Sequence, residues 1–186
     1  MRELTYLVAT TLDGFIAGPG GEHDFFSTSG DHIDGLIEHY PESLPGSFRD
    51  HLGITAIREF DTVLEGRATH QIGLDAGVAD AYPHLRHIVF SRTLVSDTVT
   101  VVDSDPLEYV RGLKRERGHG IWLCGGGAIA GALLPEIDRL VLKVYPVLIG
   151  SGIRVLDAPF APRSFELEST RRFASGVSWQ SYRRSS

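Results

Sequence analysis

The chain has 186 residues, 42% of them hydrophobic and 23% charged, with a formal net charge of −6 at pH 7. That balance supports one globular domain over residues 1–186 with a sizeable core, and it excludes the disordered and fibrous classes. The negative charge contains no basic block, which argues against nucleic acid as a partner.

The N-terminal residues enter a short apolar run, too short for a signal h-region. No stretch approaches the roughly 20 apolar residues of a membrane span. The expectation is a soluble, cytoplasmic protein without membrane contact. The single cysteine, Cys124, has no internal disulfide partner, and no Cys/His group shows zinc-site spacing, so no metal is expected. The eight histidines are scattered, and most read as surface residues.

Leu4 to Thr10 is a continuous apolar and β-branched run, the pattern of a central strand buried on both faces. Thr11 to Gly21 carries Asp-Gly and Gly-Pro turn chemistry around Phe15 and Ile16, and reads as a loop able to cover a site. Asp31 to His39 is expected to be helical, with Ile33, Leu36 and Ile37 on one face. Ser47 is a candidate cap for a helix carrying Phe48, Leu52 and Ile57, although Gly53 weakens it. Strands follow at Phe60–Glu65, at His87–Phe90 and at Thr98–Val102. Ser104-Asp105-Pro106 starts a helix that should stop at Gly118.

Ile121 to Cys124 is a further buried strand, running into Gly125-Gly126-Gly127 and a small-residue helix. The later segments Arg139–Tyr145, Phe165–Glu168 and Val177–Tyr182 alternate apolar and polar residues, the last two as a hairpin through Ser175-Gly176. Alternating strands and helices with strands alone at the end predict an α/β fold. Its central sheet should be mostly parallel, flanked by helices, with an antiparallel C-terminal edge.

Three strand ends share one design. Val63-Leu64-Glu65 leads into Gly66-Arg67, Val89-Phe90 into Ser91-Arg92, and Leu123-Cys124 into the glycine run. In a parallel sheet these ends face one edge, where open α/β sheets bind ligands. Arginine forks match phosphate oxygens, and a glycine turn at a helix N-terminus admits an anion close to the backbone. The glycine run fits tight βα packing equally well.

These features together resemble the dihydrofolate reductase-like superfamily. The nearer branch is the family of the C-terminal reductase domain of the riboflavin-biosynthesis enzyme (RibD) and its stand-alone relatives. The resemblance runs from about Leu4 to Arg183, on Leu12-Asp13-Gly14-Phe15-Ile16-Ala17, Asp61–Thr69, Ser91-Arg92-Thr93-Leu94, Leu123–Gly127 and Tyr145–Gly152. It implies a three-layer sandwich and an NADPH-dependent reductase of a small heterocyclic, pterin- or ribosylaminopyrimidine-like substrate. By this similarity Gly66, Arg67 and Thr69 hold phosphates, with Arg67, Ser91 and Arg92 near the 2′-phosphate. Gly125, Gly126, Gly127 and Ala128 line the pyrophosphate, and a cis peptide joins the paired glycines. Ala9 and Ile16 flank the nicotinamide.

Asp13 matches the acidic residue of the first-loop motif and is the candidate catalytic residue, with a plain turn role as its alternative. Asp31, Asp34 and Glu38 are all candidates for the proton donor. Cys124 stands where the riboflavin-pathway reductases carry a glutamate, which leaves the substrate open. A homodimer is expected through Leu140–Tyr145 and the C-terminal hairpin. The second reading is a non-catalytic NADPH-binding module of the same fold.

Overall fold

A computed structural model describes residues 1–185. Eight strands form one sheet in the order β5-β4-β3-β6-β1-β7-β10-β9. They are β1 (Leu4–Thr10), β3 (Phe60–Gly66), β4 (Arg86–Phe90), β5 (Thr100–Val102), β6 (Gly120–Gly125), β7 (Arg139–Val144), β9 (Phe165–Arg172) and β10 (Ser178–Arg184). Pairings from β5 through β7 are parallel, and β10 pairs antiparallel with both β7 and β9. The expected architecture is therefore present.

Continuous apolar strands occur here because each strand feeds two cores. On β1, Leu4, Tyr6 and Val8 enter one core, while Leu7 and Ala9 enter the other. The first core is closed by α4 (Pro106–Arg115) through Val110 and Leu113, and by α5 (Gly127–Leu133) through Ala130 and Leu133. The second is closed by α1 (Asp31–His39) through Leu36, with Trp122 and Trp179 packed inside it. Leu4, Leu64, Leu123 and Leu133 are fully buried, each worth about 1.5–3 kcal/mol of apolar burial. The remaining helices are α2 (Gly46–Leu52) and α3 (Arg67–Asp75), with short 3₁₀ turns at Pro41–Ser43 and Leu134–Glu136.

Several boundaries differ from the sequence expectation for identifiable reasons. The first loop contains β2 (Phe15–Ala17), which pairs with β8 (Ile153–Arg154) in a two-stranded sheet. The backbone N–H of Val155 also donates to the Gly14 carbonyl at 2.9 Å, so this segment is tied down rather than free. Helix α2 begins after Pro45 without a side-chain cap from Ser47. It ends at Gly53, whose left-handed conformation (φ 64°) terminates the helix and leaves Ile57 outside it. Asp105 caps α4 as the Ser-Asp-Pro pattern predicts, accepting from the Leu107 N–H at 2.9 Å.

No helix among the described residues is long and apolar enough to cross a membrane.

Candidate functional site

The C-terminal ends of β1, β3, β4 and β6 meet at one edge of the sheet. Gly66 lies in register with Phe90, so Arg67, Ser91 and Arg92 all follow strand ends at this edge. Leu64 pairs with Leu123, but Glu65 pairs with Gly125, so the register slips at Cys124. Such a bulge re-aims the local side chain. It brings Gly125 and Gly126 against α3, where a Cβ on either would stand 3.7 and 3.4 Å from Thr69 Oγ1. The Ile16 Cδ1 lies 3.5 Å from that same position on Gly126. The peptide between Gly125 and Gly126 is cis. Thr69 and Ile16 thus converge on Gly125 and Gly126, and a Cβ at Gly66 would stand 3.8 Å from the Gly125 carbonyl.

The third glycine has a different role. A Cβ on Gly127 would overlap the Arg154 carbonyl, and one on Gly131 would overlap the Asp157 carbonyl. These two glycines admit the 153–158 segment across α5, and Ala128 beside them is exposed. The packing reading of the glycine run thus holds for Gly127 and Gly131, and Gly125-Gly126 is the part left as a candidate site.

Arg67 is half-buried, and its Nη1 is buried with no hydrogen-bond partner among the described residues. A buried guanidinium nitrogen normally has an acceptor, so this one is poised for an anion. Arg92 is exposed and Ser91 half-buried, beside a cleft of about 400 Å³. The Ser91 Oγ accepts from the N–H groups of Thr93 and Leu94, which leaves its hydroxyl proton to donate. The carboxylates of Asp103 and Asp105 share that cleft, which makes it a poorer anion site than the surroundings of Arg67.

The acids are largely engaged elsewhere. Asp13 is exposed, and its carboxylate accepts from Thr11 Oγ1 at 2.6 Å and from the Gly150 and Ile149 N–H groups at 2.7 and 3.2 Å. Those hydrogen bonds hold its carboxyl below the usual range and tie the first loop to the turn at 147–152. Asp31 accepts from the N–H groups of Ala174 and Ser175, anchoring the β9–β10 hairpin. Glu38 is exposed and pairs with Arg171, and Asp34 is exposed.

What lies under the site is more polar than the sequence reading foresaw. Glu65, His70 and His87 are all buried, so the histidines are not uniformly surface residues. His87 donates through Nε2 to Glu65 at 3.2 Å and through Nδ1 to Asp80 at 2.7 Å. A carboxylate at each nitrogen favours the doubly protonated ring. Burial disfavours that charge, but Glu65 and Asp80 outweigh it and raise the pKa of His87. Burial likewise pushes the Glu65 carboxyl up, and its contacts with His70, His87 and Cys124 more than reverse this. Cys124 is kept a thiol by burial and by the charge of Glu65, with the Tyr82 hydroxyl 4.0 Å away.

Lys143 was also unforeseen. It lies half-buried on β7 in register with Ala9, on the face that holds Cys124, and has no hydrogen bond or ion pair among the described residues. Burial lowers its pKa to about 8, against a smaller opposing effect from Cys124. The only sequence signal for it is a lysine in the middle of an apolar strand.

The layered sheet, the glycine turn between β6 and α5, and the arginine at the start of α3 define a dihydrofolate reductase-like α/β protein. The model of the RibD C-terminal domain family matches residues 2–179, and the chain belongs to that family, an oxidoreductase family of reductase-type proteins. It is 28% identical over 191 residues to the uncharacterized protein YyaP of Bacillus subtilis strain 168, covering 95% of this chain and 92% of YyaP. The dihydrofolate reductase of Enterococcus faecalis, solved with NADP(H) and RAB-propyl, shares the fold at a TM-score of 0.66 and 17% identity, over 99% of this chain and 97% of that one. A Thermotoga maritima diaminohydroxyphosphoribosylaminopyrimidine deaminase/5-amino-6-(5-phosphoribosylamino)uracil reductase matches at a TM-score of 0.66 and 17% identity. That alignment covers 99% of this chain and 57% of the Thermotoga protein.

Proposed function

We propose that this protein is an NADPH-dependent reductase that delivers a hydride to a small heterocyclic, pterin- or ribosylaminopyrimidine-like substrate. The observation that carries the reading is the buried Nη1 of Arg67, without a hydrogen-bond partner among the described residues, at the same sheet edge as the Gly125-Gly126 turn. A phosphate-bearing cofactor would satisfy the first and fill the second. When bound, NADPH supplies the hydride.

The chain's residues would do the rest. Arg67 would form charge-assisted hydrogen bonds to phosphate, helped by Thr69, Ser91 and Arg92. Gly66, Gly125 and Gly126 would let the cofactor lie against the backbone, while Ala9 and Ile16 would bound the nicotinamide. Gly127 and Ala128 would contribute the first backbone N–H groups of α5. Lys143, beside Ala9, would hold the proton that must accompany hydride, since Asp31 and Glu38 are committed elsewhere. Asp13 would act at the rim, fixing the loop that borders the substrate.

The commitment of those acids also favours a second reading, a non-catalytic NADPH-binding module. Thermal shift with NADPH and NADH, followed by NADPH oxidation against pterins, pyrimidines and quinones, separates the two. Turnover supports the reductase and binding without turnover the module. Absence of selective stabilisation by NADPH overturns both.

A homodimer belongs to the same proposal. Leu140 and Leu142 on β7 and the exposed Leu167 on β9 lie on the outer part of one sheet face, with only partial cover from the helices. A monomeric mass by light scattering would overturn it.

A further inference from the structure

We propose that Glu65, His70 and His87 form a tetrahedral binding site for a divalent transition metal, and that Zn²⁺ is the ion it suits. The site is independent of the NADPH reading and uses none of the residues assigned to that cofactor.

The three residues come from three packed elements, β3, α3 and β4, so the backbone fixes their spacing. Glu65 Oε2 lies 3.2 Å from His87 Nε2 and 3.5 Å from His70 Nδ1. Ligand atoms around a tetrahedral zinc with bonds of about 2.0–2.1 Å are about 3.3 Å apart, so both measured edges fit without rearrangement. One ligand atom from each residue lies within 4.8 Å of the others. An octahedral ion would need edges of about 3.0 Å at similar bond lengths, shorter than either measured one.

Two further observations point to an ion. The His70 ring is poorly satisfied in the protein alone. Its Nδ1, the nitrogen that faces Glu65, is only at the limit of a hydrogen bond to that carboxylate and so has room to bind an ion. His87 already has the outer partner that a zinc-binding histidine requires, since its Nδ1–H donates to Asp80 at 2.7 Å. That carboxylate would orient the ring and raise its basicity toward the metal.

Charge favours the ion as well. Two carboxylates, Glu65 and Asp80, face the His87 ring in a largely buried cluster. A dication held by neutral imidazoles beside these two carboxylates brings the cluster to neutrality. Histidine and carboxylate donors without a thiolate suit zinc and its neighbours in the first transition row rather than Mg²⁺ or Ca²⁺. Three protein ligands would leave the fourth position for water.

Chelator-stripped full-length protein, dialysed against Zn²⁺ or Co²⁺ and then against metal-free buffer, tests the site. Retention of about one equivalent of metal is expected. Zn²⁺ should raise the melting temperature where Mg²⁺ does not, and Co²⁺ should give the intense visible bands of tetrahedral coordination. His70→Gln and Glu65→Gln should each weaken binding by at least about 100-fold, and Asp80→Asn by about 10- to 100-fold. Near-UV circular dichroism shows whether each variant is folded. If one is not, the wild-type stoichiometry and Co²⁺ spectrum decide. Retention of only a small fraction of an equivalent, a weak octahedral spectrum, or undiminished binding by folded His70→Gln would overturn the proposal.

Discussion

Asp157 donates its backbone N–H to the carbonyl of Gly127 at 3.0 Å, so the segment after β8 crosses directly over the first turn of α5. Only a residue without a Cβ permits that approach. Gly127 and Gly131 form a saddle for this strap, whereas Gly125 and Gly126 form the open turn next to Thr69 and Ile16. One glycine-rich stretch thus divides its work between packing and site.

The division predicts opposite phenotypes for two alanine substitutions. Gly131→Ala puts a Cβ into the Asp157 carbonyl and should destabilise the fold by about 1–3 kcal/mol, the usual range for overpacking. Gly126→Ala meets only ordinary contacts at 3.4 and 3.5 Å, so stability should change by less than about 1 kcal/mol. It should instead weaken NADPH binding, because the methyl occupies the turn. Thermal melts beside cofactor titrations check this, and a fully destabilised Gly126→Ala with a tolerated Gly131→Ala would reverse the assignment.

Arg67→Ala should weaken NADPH by about 1.5–3 kcal/mol, the range for hydrogen bonds to charged groups, or roughly 10- to 150-fold. NADH should lose less if the guanidinium meets the 2′-phosphate. Arg92→Ala should cost less than Arg67→Ala, since Arg92 is exposed and shares its cleft with Asp103 and Asp105. Equal losses for the two nucleotides would move Arg67 to the pyrophosphate.

The strand ends were legible in sequence because each is an apolar run stopped by glycine, serine or arginine, a purely local signal. Asp105 was legible as a cap for the same reason. The Glu65–His87 contact was not. It depends on the parallel register that pairs Val63 with His87, and on α3 folding back to bring His70 alongside. Residues 65, 70 and 87 carry no spacing rule that reveals this. Nor did the first loop disclose its strand, since the partner of Phe15–Ala17 lies at Ile153–Arg154, far along the chain. Asp31 shows the converse limit: its helix was read correctly, yet its carboxylate serves the hairpin at Ala174 and Ser175.

Asp13 links two loops, and its removal should be felt at the far side. Asp13→Ala should increase hydrogen exchange at the Ile149 and Gly150 amides with little change in the core strands. The carboxyl titrates below its ordinary value in the folded state. Its contribution is therefore present above the unfolded pKa and lost as pH falls through the lowered folded one. Protection of these two amides in the wild type should fall selectively in acid. Unchanged exchange in Asp13→Ala would show that the turn is held by other contacts.

Lys143 makes the most specific pH prediction. Burial favours its neutral amine, with a folded pKa of about 8 against an ordinary value of 10.5. Between those values the unfolded chain binds the proton and the folded chain does not. This group's contribution to stability therefore rises with pH across that interval. Below about 8 the amine is protonated in both states, and the burial of its charge counts against the fold throughout. Lys143→Met should accordingly be more stable than the wild type near neutrality, with the difference shrinking as pH rises. Catalysis should go the other way. If the protonated amine supplies the proton that accompanies hydride, turnover should decline above about pH 8 in the wild type. Lys143→Met should lose that limb together with about 10²- to 10⁴-fold of kcat, the usual contribution of a positioned acid. NADPH affinity should be nearly unchanged. A stable variant that keeps wild-type turnover and the same alkaline limb would remove Lys143 from the reaction and leave it a half-buried amine beside Ala9.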